Sequence, residues 1–275
     1  MQGLALGKTD VTAHLEQGIC QFAPISTTIA EGTLHLTPRI RLDRNPALIV
    51  LPEEKILDQV RISPELCNSW LKFVAPLLSD ATQIDGKISL NVTSGVLPIS
   101  APMTGDLGGT VAVHHIQVRP GSSALQVVGL IDQIQSLITR KPAGAAGDKV
   151  LMEMPEHSIP FKLAGGRIYH QDVTFIIGGT SVKSTGSVGT DESIDLMLLI
   201  GVRDDWTKDQ KLLAGLKGQA LKIPVRGTLS RPQIDSRILT ELASLIGGTA
   251  LEGALENKVD DLFKKQLNKF LPGQK

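Results

Sequence analysis

Aromatic side chains are scarce in this sequence: six Phe, two Trp and a single Tyr, Tyr169, in 275 residues. Base-stacking platforms for nucleic acid are built from such rings, so their scarcity argues against that function. No positive surplus compensates, because 28 Lys and Arg stand against 28 Asp and Glu, and phosphate binding needs a basic excess. The two cysteines, Cys20 and Cys67, are too few for a disulfide framework or a zinc site; a single bridge between them stays open, and would need an oxidising compartment. Long apolar runs are missing too. The longest, Ala47–Leu51 and Leu196–Ile200, fall far short of the ~20 residues a membrane-spanning helix needs. Residues 1–7 lack a basic stretch followed by an apolar core, so they do not read as a secretory signal. Two locations are then expected: the cytoplasm, or the envelope if a targeting or anchoring segment lies upstream, and the strand-like opening favours the second.

Catalytic motifs are equally absent. The stretch from Gly3 to Thr9 has three residues between its glycines where a phosphate loop needs four, and no strand precedes it. There is no nucleophile elbow, dinucleotide turn or zinc-protease pair. His14, His35, His114, His115, His157 and His170 have no Cys or carboxylate neighbours at ligand spacing, and read as surface or hydrogen-bonded polar residues. Acidic pairs such as Glu53-Glu54 and Asp204-Asp205 sit where capping or solvation explains them. The expectation is a protein with no enzymatic activity, no metal and no cofactor.

What is present is alternation. Ile88, Leu90 and Val92 alternate with polar residues, as do Ile159, Phe161 and Leu163, then Val173, Phe175 and Ile177. Successive strand side chains point to opposite faces, so the pattern marks antiparallel strands with one apolar face. Gly165-Gly166, Gly178-Gly179 and Gly186 to Asp191 punctuate residues 156–203 into a meander of about four strands. Its last member, residues 194–202, is apolar on both faces and should be the most buried. Helices interrupt the sheet. One starts at Ser63-Pro64-Glu65 and runs to about residue 78, with Pro76 breaking its last turn; a second spans residues 122–138, and a shorter one 205–216. The longest is expected over residues 237–270, bent at Gly247-Gly248. The fold class is therefore α+β: a curved, mostly antiparallel, groove-like sheet of hairpin blocks with covering helices and a long C-terminal helix. An N-terminal portion, residues 1–140, would join a C-terminal one, residues 150–275, through a small-residue linker at 141–149, or the two would form one continuous domain.

The segment Lys222-Ile-Pro-Val-Arg-Gly-Thr-Leu-Ser-Arg-Pro232 is the most distinctive, reading as a strand ended by Pro232 before the terminal helix. With the Gly-rich meander before it, it resembles the C-terminal region of bacterial AsmA-like proteins over residues 156–275. That resemblance implies a non-catalytic periplasmic or envelope protein with an antiparallel β-groove, involved in lipid handling or outer-membrane biogenesis. Together with the one-sided strand pattern it makes Phe175, Ile177, Ile194, Leu196, Leu198 and Ile200 candidates for an apolar interior. Either lipid acyl chains or covering helices would meet that interior. The alternative function is a structural or assembly module, which would dock a membrane-associated or other protein partner through its sheet edges or its C-terminal helix.

Overall fold

Tight turns set the architecture. The computed structural model describes residues 6–139, 152–208, 218–235 and Arg237. Two-residue turns with both residues at positive φ occur at Gln17-Gly18, Ala30-Glu31, Gly165-Gly166 and Gly178-Gly179. Such turns match the right-handed twist of the strands they join, so each closes an antiparallel hairpin. The strands before residue 100 are β1 (Ala13–Glu16), β2 (Ile19–Phe22), β3 (Ile25–Ile29), β4 (Gly32–Leu36), β5 (Arg39–Arg41), β6 (Leu48–Leu51), β7 (Glu54–Arg61) and β8 (Gln83–Pro98). After it come β9 (Asp106–Arg119), β10 (Met152–Met154), β11 (His157–Ala164), β12 (Arg167–Ile177), β13 (Thr180–Gly189), β14 (Ser193–Gly201), β15 (Ala220–Thr228) and β16 (Arg231–Ile234). Among the described residues they form one 16-stranded sheet, and the expected meander is β11 to β14.

Prolines explain why several strands come in pieces. Residues 19–29, 32–41 and 48–61 are three adjacent long strands, each interrupted midway: at Ala23-Pro24, at Thr37-Pro38 and at Pro52-Glu53. A proline has no N–H for the ladder, and here three of them lie side by side. The ladder divides along that row. β1, β2, β5 and β6 lie on one side of it, β3, β4 and β7 on the other, and the long β8 pairs with both β6 and β7. Glu54 repairs part of the gap: its carboxylate accepts the Thr37 N–H at 2.7 Å and the Thr37 hydroxyl at 3.0 Å.

Helices cover one face. Ser63 caps the first, accepting the Leu66 N–H on its hydroxyl at 3.3 Å, with Pro64 at the first helical position as the sequence predicts. The element is less regular than its periodicity implies. A turn of α1 (Pro64–Leu66) gives way to a π-helical turn over Cys67–Leu71, a turn of α2 (Lys72–Val74), and a 3-10 turn over Pro76–Leu78. Cys67 and Leu71, at the two ends of the π-helical turn, are both buried. The second helix, α3 (Ser122–Thr139), falls where expected and buries Val127, Ile131, Ile134 and Ile138. Each such side chain contributes about 1.5–3 kcal/mol when fully buried. Trp70 packs on Ile29, Leu57 and Val60, α2 lies against β12 and β13, and α3 against the 3-10 turn and a short α4 (Asp204–Thr207).

Two sequence expectations change. Pro232 does not end the ladder, because the chain turns at Leu229-Ser230 and Pro232 pairs with Gly227 inside β16. Among the described residues β16 is the last strand of the sheet, and an edge tolerates a residue with no N–H to donate. The strand at residues 194–202 alternates: Ile194, Leu196, Leu198 and Ile200 are buried, whereas Asp195, Met197 and Leu199 are half-buried. The expected linker at 141–149, the terminal helix at 237–270 except Arg237, and most of the helix at 205–216 lie outside the described residues. The strands on either side of that linker share one sheet, since β9 bonds to both β10 and β11.

Candidate functional site

Directly opposed residues in a sheet share a face, so the pairing register traces the apolar side of this one. Stepping from partner to partner gives Leu51, Gly95, Leu107, Leu163, Ile168, Val188 and Ile194. That row runs from β6 to β14 without a polar side chain. A second row gives Leu15, Cys20, Ile40, Ile49 and Leu97. Phe22 belongs to the same face as Cys20, two residues along β2, and Leu42 follows β5 in the turn.

The six residues expected to line an apolar interior belong to this face. Phe175, Val182 and Ile200 stand in one row across β12 to β14, and Leu196 and Leu198 oppose Val225 and Ile223 of β15. All six, Ile177 included, are buried. Pro76, Leu77 and Val127 from the helices border Ile194, Leu196 and Leu198, and the recess between them holds about 30 Å³. Ligand pockets usually enclose ~300–1,000 Å³, so at this end helical side chains fill the space above the sheet.

At the other end the face is open. Cys20, Phe22, Ile40, Ile49, Leu51, Leu97 and Leu107 are only half-buried, Leu15 keeps 61% of its surface exposed, and Leu42, in the turn after β5, keeps 53%. Sequence reading missed these positions because the strands carrying them are short and broken by proline. The available signal was the sequence Leu48-Ile-Val-Leu51 beside Ile40 and Leu42, which looks like core. Cys20 sits in the middle of this open area, and neither cysteine is in a disulfide. Cys67 is fully buried under the π-helical turn, where burial and then the Glu65 charge push its thiol up to about 12.

The opposite face holds the nearest approach to a catalytic group. Ser89 Oγ donates to Asp58 at 3.1 Å, lies 2.9 Å from His114 Nε2, and accepts the Gln59 N–H at 3.0 Å. Serine, histidine and aspartate meet here, but the carboxylate binds the hydroxyl rather than the imidazole, and Ser89 is 2% exposed. The arrangement follows from a β-bulge in β7: Gln59, at φ 53°, loses its ladder partner, and Ser89 takes its N–H. Among the described residues no group of three potential metal ligands converges, and no helix is long and apolar enough to cross a membrane. His170 is a buried ionisable group on the apolar face, with Nε2 at 3.2 Å from Ser184 Oγ. No family model, curated protein or solved structure matches this chain.

Proposed function

We propose that the protein is a non-catalytic lipid-handling module of the cell envelope, which holds acyl chains on the open end of its apolar sheet face. One observation carries this reading: the aliphatic face that forms the core under the helices continues onto β1, β2, β5 and β6 with no helix above it among the described residues. An exposed contiguous apolar surface marks a binding site, and its aliphatic, almost ring-free chemistry suits a hydrocarbon chain. The envelope part of the reading rests on the likeness of residues 156–275 to AsmA-like proteins. The reading assigns no nucleophilic role to Ser89, whose hydroxyl is buried and already committed to three partners.

Cys20 offers a direct test, because it lies within the open face while Cys67 is inaccessible. A polarity-sensitive fluorophore attached to Cys20 should shift to the blue and saturate when oleate or a lysophospholipid is added below its micelle concentration. Ile40→Glu, which puts a charge beside the label, should abolish that shift. An unresponsive probe, together with no lipid in mass spectra of gently purified protein, would overturn the proposal.

A further inference from the structure

One corner of the sheet is apolar on both faces. β6 has no polar side chain, and all four of its residues are half-buried. Ile49 and Leu51 stand in the open apolar face with Leu97. Leu48 and Val50 point to the opposite side, where they stand against Pro98 and the exposed Val96 of β8. Beyond the ends of these strands lie two turns, residues 42–47 and 99–105, which leave Leu42, Ile99 and Met103 exposed. Hydrogen bonds hold both turns in place. The Leu42 N–H donates to the Gly18 carbonyl at 2.8 Å, the Ile99 N–H to the Ala47 carbonyl at 2.9 Å, and the Thr104 hydroxyl to the Ala101 carbonyl at 2.8 Å. Charge is scarce around the exposed side chains, for the two turns carry one acid and one base, Asp43 and Arg44. Arg41 of β5 takes the carboxylate, donating from Nε and Nη2 to its two oxygens at 2.8 and 2.6 Å. Arg44 Nε lies 3.7 Å from Asp43, and its side chain stays exposed.

We infer that this corner inserts into the surface of a phospholipid membrane. The inference deepens the lipid-handling reading and rests on it for the kind of partner. A protein partner covers one face of a sheet or extends its edge. β6 is no edge, because it lies between β5 and β8, and its apolar side chains leave it on both faces. A fluid interface closes around such a tip from both sides. Leu42, Ile99 and Met103 would enter the boundary between headgroups and acyl chains, as the apolar face of an interfacial helix does to a depth of ~5–10 Å. Arg44 supplies the complementary charge. Its neighbouring carboxylate is already held by Arg41, and a guanidinium matches a phosphate with paired N–H donors. Every phospholipid carries that phosphate, so a zwitterionic bilayer suffices. Two guanidinium groups around one carboxylate leave a single surplus positive charge, so anionic lipid should strengthen binding only roughly fivefold. The open face starts at this corner, since Leu97 precedes Ile99 by two residues. An acyl chain leaving the membrane here would reach Leu97 and Ile49 without crossing water.

Flotation of the whole chain with vesicles of phosphatidylcholine, alone and mixed with phosphatidylglycerol, tests this. The protein should float with both. Ile99→Asp combined with Met103→Asp should weaken binding roughly tenfold or more, and Arg44→Glu should weaken it most on the mixed vesicles. If the double variant fails to fold, Ile99→Trp decides. Against the background of Trp70 and Trp206, its emission should move to the blue on vesicles and be quenched by bromine-labelled lipid. A chain that never floats, a double variant that floats as well as the unaltered protein, or an Ile99→Trp emission indifferent to bromine overturns the inference. The Cys20 probe separates this from lipid handling itself. A shift with monomeric lysophospholipid in a chain that ignores vesicles defeats the docking and leaves the lipid reading standing; flotation that depends on these turns, without any shift at Cys20, does the reverse.

Discussion

His170 occupies an unusual position for an ionisable group. It stands on the apolar face of β12, 1% exposed, above Ser184 and beneath the Phe73 backbone. Burial pushes its pKa down to about 4, against a smaller opposing effect of the Phe73 backbone. The folded protein therefore holds it neutral while the unfolded chain takes up a proton near pH 6.5. Its contribution is fully present above pH 6.5 and is lost progressively as the pH falls toward 4, on the order of 3 kcal/mol in all. Urea unfolding at pH 7 and pH 4.5 should show that loss, and His170→Gln should flatten the dependence while lowering the neutral-pH midpoint. An equal pH dependence in both proteins would show that other groups carry it. The sequence marks His170 only as one alternating residue among apolar ones, and whether such a residue meets solvent or a helix depends on what packs over the strand.

At the level of single elements, local chemistry was legible where one residue type decides the backbone. Ser63-Pro64-Glu65 announces a helix start, and Gly165-Gly166 and Gly178-Gly179 announce hairpins, because few other residues suit those positions. Ala30-Glu31 forms the same kind of turn with no glycine, held by the pairing of β3 with β4, and nothing in its sequence signals that. The π-helical turn at Cys67–Leu71 likewise has no signal in the sequence, whose apolar spacing fits an ordinary helix. Two glycine substitutions separate these influences. In β13, Gly186 has φ 149°, and an added Cβ would run into the Asp195 carbonyl and lie 2.8 Å from Leu196 Cα. Gly186→Ala should cost more than about 1 kcal/mol in thermal or urea unfolding. Gly129 in α3 has nothing within 4 Å of an added Cβ, so Gly129→Ala should stabilise the protein by up to about 1 kcal/mol.

For the whole molecule, the antiparallel sheet was readable in the alternation of residues 87–93 and 156–203, but its assembly was not. Strands at 48–61 and 106–119 flank β8, and the second of these joins residues 83–98 to residues 152–163. Such distant pairings are settled by which apolar surfaces can be buried together, and a single sequence lists the surfaces without their partners. The same limit displaced the candidate site. Phe175, Ile177 and the four buried residues of β14 share one apolar face, and the helices close over it. The half-buried positions fall instead on Cys20, Ile40, Ile49 and Leu97, which lie in short strands where periodicity has little length in which to show.

The aligned Pro24, Pro38 and Pro52 act like a line of perforations in paper. Where three neighbouring strands each lack a donor at the same level, the cooperative ladder is weakest, and the flap formed by β1, β2, β5 and β6 can lift while the larger leaf stays intact. Amide exchange should therefore divide the sheet, with Ile40 and Ile49 exchanging at a lower opening free energy than Val111 or Phe175. Replacing Pro38 by Ala, which restores a donor, should narrow that gap, whereas uniform exchange across both leaves would mean the tear line carries no mechanical consequence. A flap that yields separately would let a guest enter along the seam without the rest of the protein ever opening.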